Sequence, residues 1–94
     1  MEQNTVEQIK KKIMETERQD ARFADLDLSE TKIEKFTPLI SNLIENCKNL
    51  EIIYFVDCNI TSLTGFPPCN IKAVDFSKNL YISNYYIELM MIAN

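Results

Sequence analysis

A chain of 94 residues, 46% of them apolar and 26% charged, supports one small folded domain and excludes an intrinsically disordered one. Ten basic against fourteen acidic residues give a net charge of −4 at pH 7, which speaks against a nucleic-acid surface built on clustered Lys and Arg and favours a basic partner. With no His, a single Gly and no nucleophile in a recognisable setting, the composition offers neither a catalytic centre nor a phosphate-cradling loop, so the expected protein is not an enzyme.

Residues 5–17 read as an amphipathic helix: Thr5 is placed to cap it, Gln8 follows three residues later as in a capping box, and Val6, Ile9 and Ile13 share one face. Lys10, Lys11 and Lys12 fall mainly on the other face and are read as its solvated side rather than as an import signal. The segment lacks the uninterrupted apolar core of a signal peptide, and nothing in the chain approaches the roughly 20 apolar residues of a membrane span. The expectation is an intracellular protein with no membrane partner, whose residues 1–20 form an amino-terminal capping helix.

Three following segments share one pattern, with apolar residues at relative positions 1, 4, 6 and 11 and a small polar residue or Cys at position 9. They are Phe23, Leu26, Leu28, Thr31, Ile33; then Leu50, Ile53, Phe55, Cys58, Ile60; then Ile71, Val74, Phe76, Asn79, Tyr81. Their starts lie 27 and 21 residues apart, within the leucine-rich-repeat period. Positions 4 and 6, two apart on a short strand, both point into the core, while position 9 turns the chain and bonds loop backbone. The expected fold is therefore α/β: a short leucine-rich-repeat solenoid over residues 21–82 with about three parallel strands behind the capping helix.

Between the first two segments, Leu39, Leu43 and Cys47 recur at fourfold spacing on one helical face, and Pro38 suits a first helical turn. The shorter link after the second contains Gly65, Pro67 and Pro68, which forbid a regular helix. Cys47, Cys58 and Cys69 are odd in number and lack a His or a close CxxC pair, so they read as buried structural thiols and no metal or other cofactor is expected. Residues 83–94 are strongly apolar and read as a closing helix or an incomplete repeat, a surface open to self-association.

The stretches IKKKIMETERQDARFADLDLSETKIEKFT and NLEIIYFVDCNITSLTGFPPCNIKAVDFSKNLYI resemble the amino-terminal part of the acidic leucine-rich nuclear phosphoprotein 32 family, over roughly residues 9–82. That resemblance implies a non-catalytic protein-binding module of nucleus and cytoplasm that binds histones, takes part in chromatin regulation and acts on protein phosphatase 2A. The resemblance does not extend to that family's carboxy-terminal cap or long acidic tail, so the contacts it implies are those of the concave face. LEIIYFVDCNITSL is also similar to the spliceosomal leucine-rich A-prime protein, which implies instead a structural ribonucleoprotein subunit with no direct nucleic-acid contact. A third reading is a truncated product without independent function, since about three repeats are the minimum for a stable solenoid.

Strand alternation turns positions 3, 5 and 7 of each segment outward: Asp25, Asp27 and Ser29; Ile52, Tyr54 and Val56; Ala73, Asp75 and Ser77. Stacked in register, Asp27 and Asp75 flank Tyr54, with Ile52 and Val56 beside it. An aromatic with aliphatic neighbours inside a carboxylate frame suits a basic protein segment, which makes Asp25, Asp27, Ile52, Tyr54, Val56 and Asp75 the candidate partner-binding residues. Asp25 and Asp27 without a third carboxylate do not make a cation site.

Overall fold

The computed structural model describes residues 2–67 and 71–79. Along these the elements run α1 (Glu2–Gln19), β1 (Asp25–Asp27), α2 (Pro38–Glu45), β2 (Ile52–Tyr54) and β3 (Ala73–Asp75). The three strands are parallel, in the order β1-β2-β3 of an open sheet, and α1 packs against both α2 and β1. No helix among the described residues is long and apolar enough to cross a membrane. The expected terminal segment 83–94, Tyr81 and Cys69 lie outside the described residues.

α1 buries Val6 and Ile9 and half-buries Ile13, as their shared face predicts. Its start differs from expectation. The helix begins at Glu2, so Thr5 lies inside it rather than capping it, and at 8% exposure its hydroxyl donates to the Lys32 carbonyl at 3.0 Å. A capping signature is local chemistry. Here the threonine serves a contact 27 residues away, tying the helix to the turn after β1.

Each strand is only three residues long because a regular turn follows at once. Glu30, Asp57 and Lys78, two positions beyond Leu28, Val56's predecessor Phe55 and Phe76 respectively, hold left-handed φ values of 66°, 58° and 62°. These are the same position in all three segments. A non-glycine residue there carries local strain, which the surrounding hydrogen bonds must offset. Those bonds are present: Glu30 N donates to the Val56 carbonyl at 2.8 Å and Asp57 N to the Ser77 carbonyl at 3.0 Å, continuing the sheet ladder past the strand ends.

Position 9 then reaches back onto the preceding segment. Asn79 Nδ2 donates to the Phe55 carbonyl at 2.6 Å, and its Oδ1 accepts from Cys58 N at 2.9 Å and Ile60 N at 3.0 Å. Cys58 repeats the gesture one segment earlier, its thiol donating to the Leu28 carbonyl at 3.2 Å. Phe55 and Leu28 are equivalent residues, each at position 6. The side chain at position 9 thus stitches one turn to the last, as its expected structural role requires.

The core lies on one side of the sheet. Leu26 and Ile53 at position 4, and Leu28 and Phe55 at position 6, are fully buried; Phe76 is buried and Val74 half-buried on the last described strand. Phe36, Phe55, Phe66 and Phe76 form one ring cluster, with Phe55 and Phe76 stacked at 5.5 Å and Phe36 and Phe66 meeting Phe55 edge-on at 5.4 and 6.2 Å. Offset and edge-to-face contacts of this kind add about 0.5–1.5 kcal/mol per pair to simple burial.

α2 starts where Pro38 predicts, with Thr37 as the N-cap accepting from Ile40 N at 3.4 Å. Its buried stripe is a correction. Ile40 and Ile44 face the core, whereas Leu39 is 57% exposed, Leu43 is half-buried and Cys47 lies beyond the helix end. Two stripes at fourfold spacing, 39-43 and 40-44, sit about 100° apart on the same helix, and periodicity cannot choose between them. The rotation is set by how the capped helix docks on its neighbours.

The link 61–67 contains no helix, as Gly65 and the prolines dictate. Gly65 has φ +88°, and a Cβ built on it would stand 2.4 Å from the Phe36 carbonyl oxygen. Both the backbone conformation and the close approach exclude a side chain. Gly65→Ala is expected to destabilise the fold by roughly 2 kcal/mol or more, read as a fall in Tm of about 8 °C or more; an unchanged melting curve would show that the loop simply relaxes.

Candidate partner-binding face

The register brings the expected residues together. Asp25 pairs with Ile52 and Ile52 with Ala73, while Asp27 pairs with Tyr54 and Tyr54 with Asp75. With neighbouring strands about 4.8 Å apart, the two outer carboxylates of the second row stand roughly 10 Å from one another, with the tyrosine between them. Asp25 and Asp27 are exposed, and Ile52, Tyr54 and Asp75 are half-buried. Val56 lies beyond the end of β2 and is half-buried; its N–H donates to Ser29 Oγ at 3.2 Å, so it extends the face next to the Ser29 turn.

Two of the carboxylates also have local work. Asp27 Oδ1 accepts from Ser29 N at 2.9 Å, and Asp75 Oδ1 accepts from Ser77 N at 2.9 Å and from the Ser77 hydroxyl. These side chains hold the left-handed turn that follows each strand, an Asx-type arrangement. The Ser77 hydroxyl and N–H stabilise the charged form and hold the Asp75 carboxyl below its ordinary range, so it stays ionised into mild acid. One oxygen of each aspartate is thereby oriented and the other remains available. Tyr54 occupies the corresponding place in the middle segment.

No protein family, no curated protein and no solved structure matches this chain. The face offers two rows across three strands, carboxylate–aliphatic–alanine and carboxylate–tyrosine–carboxylate, on a rigid backbone ladder.

Other candidate groups fall elsewhere. Among the described residues no three His, Cys, Asp or Glu side chains are grouped to hold a metal ion. The Cys58 thiol is buried, and desolvation pushes its pKa up to about 11, so it is protonated and unreactive at neutral pH. Cys47 is half-buried, its thiol donating to the Leu43 carbonyl at 3.4 Å.

Two surface features were not legible from the frame. A groove of about 510 Å³ opens between the carboxy-terminal half of α1 and the end of α2, floored by Ile13, Met14, Phe23, Leu43 and Cys47. A second, of about 460 Å³, adjoins it at Lys48 and Asn49 and carries Arg22 and Lys72. The only hint in the sequence is the surplus apolar stripe on α2. Its continuation across α1 needs the packing of the two helices.

Proposed function

We propose that this chain is a short leucine-rich-repeat scaffold that binds a basic protein segment on the open, concave face of its sheet, without catalysis. Three features support the repeat reading: the shared left-handed position at Glu30, Asp57 and Lys78, the return bonds from Asn79 and Cys58 to equivalent carbonyls, and the period of the apolar frame. The observation that carries the binding reading is the row Asp27, Tyr54, Asp75, in which an aromatic anchor sits between two carboxylates. A lysine or arginine side chain laid over such a row meets an acceptor on either side and a ring face for its stem. Ile52 and Val56 supply apolar contact above and below the ring. Given the resemblance to the acidic nuclear phosphoproteins, core histones are the first basic segments to offer it.

The test is capture of core histones by the immobilised chain, followed by titration of a labelled histone-tail peptide. Tyr54→Ala combined with Asp27→Ala is expected to weaken binding about 10- to 100-fold, since buried aromatic anchors at interfaces are commonly worth about 2 kcal/mol or more. Capture unchanged by the double substitution would defeat the proposal. Binding should also weaken with added salt, because the carboxylates act through screened charge.

A further inference from the structure

We propose that the two adjoining grooves at the α1–α2 end form one docking site for an acidic, apolar peptide segment of a partner protein, separate from the open face of the sheet. The first groove is floored by Ile13, Phe23 and Leu43, all half-buried against the core, and by Met14, which is 56% exposed. Lys48 and Asn49 belong to this groove and to the second, where Arg22 and Lys72 join Lys48. An apolar floor and three cations therefore lie side by side, with Lys48 and Asn49 between them.

Charge complementarity selects the occupant. Across both grooves the lining carries Lys10, Arg22, Lys48 and Lys72 against Glu17, Asp20 and Glu51, and the excess of positive charge lies in the second groove, where Arg22, Lys48 and Lys72 face Glu51 alone. Arg22 precedes β1, Lys48 precedes β2 and Lys72 precedes β3, so the parallel register is what gathers them at the amino-terminal end of the sheet. Glu51 pairs with Lys72 at 3.4 Å, an exposed contact worth little and readily exchanged. A segment with aliphatic or aromatic residues followed by two or three carboxylates covers the apolar floor and reaches all three cations. A nucleic acid fits less well, because Glu17 and Asp20 line the apolar groove and repel a phosphate backbone that is charged along its whole length, whereas the peptide lays its uncharged half there and keeps its carboxylates for the second groove.

The experiment is fluorescence anisotropy with the whole chain and three labelled probes: a peptide with a leucine-rich half and a glutamate-rich half, the same peptide with lysine for glutamate, and a single-stranded RNA. The glutamate peptide is expected to bind at least about tenfold more tightly than the lysine peptide, a difference that corresponds to a modest free energy for several charges. Lys48→Glu with Lys72→Glu should abolish that preference, Met14→Ala should weaken binding about threefold, and Glu51→Gln should strengthen it by releasing Lys72. Tyr54→Ala with Asp27→Ala should leave it unchanged, which separates this site from the open face. Far-UV circular dichroism checks that the variants fold. Equal binding of the two peptides, tighter binding of RNA, or indifference of folded variants to charge reversal would overturn the proposal.

Discussion

Phe55→Ala should lower the free energy of unfolding by about 3–5 kcal/mol, the range for truncating a buried aromatic to alanine. Phe55 has no exposed surface and touches Phe36, Phe66 and Phe76, so its removal deletes the centre of the ring cluster at once. A domain of this size has about 5–14 kcal/mol of stability in total. The substitution therefore consumes a large part of it, and at m-values of about 1–3 kcal/mol per M the urea midpoint should fall by about 2 M. The stacked Phe76 and the edge-on rings cannot close the void without leaving their contacts with one another. Phe55→Leu, which keeps much of the volume, should cost less than half as much. A small loss for Phe55→Ala would mean that the ring cluster collapses freely, and that the core is not jointly packed across the second and third segments.

Asn79→Ala is expected to cost about 2–5 kcal/mol, although it removes little apolar surface. Its side chain accepts from Cys58 N and Ile60 N and donates to the carbonyls of Phe55, Phe76 and Ser77. Cys58 and Ile60 are fully buried, so their N–H groups lose a partner where water does not readily replace it. Each orphaned buried donor costs about 1–3 kcal/mol. Asn79→Asp is no rescue: it keeps the acceptor but sets a carboxylate against the Phe55 carbonyl. Denaturant titration measures the total, and amide hydrogen exchange locates it, with protection of Cys58 and Ile60 falling first. Loss of stability without loss of protection at those two amides would show that Asn79 acts through packing instead.

These two residues show how much of the fold could be read from the sequence. Phe55 and Asn79 occupy positions 6 and 9 of the apolar frame, and both perform what that frame assigns. The frame works because strand alternation and parallel register are backbone properties: once residues 26, 53 and 74 align, the core and outward positions follow. The row of Asp27, Tyr54 and Asp75 could be written down on that ground alone. What the row could not reveal is that Asp27 and Asp75 spend one oxygen each on the serine N–H two residues later, a contact that depends on the left-handed turn.

Elsewhere local signals met competing tertiary ones. Thr5 has the chemistry of a helix cap and is used instead to hold the Lys32 carbonyl, since α1 continues three residues before it. On α2 the sequence contains two apolar stripes of equal periodicity, and docking chose Ile40 and Ile44 for the core. The rejected stripe was not left without a place: Leu43 joins Ile13, Met14 and Phe23 along the groove between the helices. Likewise Arg22, Lys48 and Lys72 are unremarkable surface charges 26 and 24 residues apart until parallel strands bring their starts to one end.

By itself the sequence determined the placement of the strands, the inward and outward residues, a backbone-bonding side chain at position 9 and the break at Gly65, because each follows from residue type and local backbone geometry. Only the tertiary structure decided the rotation of α2, the fate of Thr5 and the gathering of an apolar floor with three cations. Those depend on how elements far apart in the chain pack against one another, a choice that neighbouring residues do not encode.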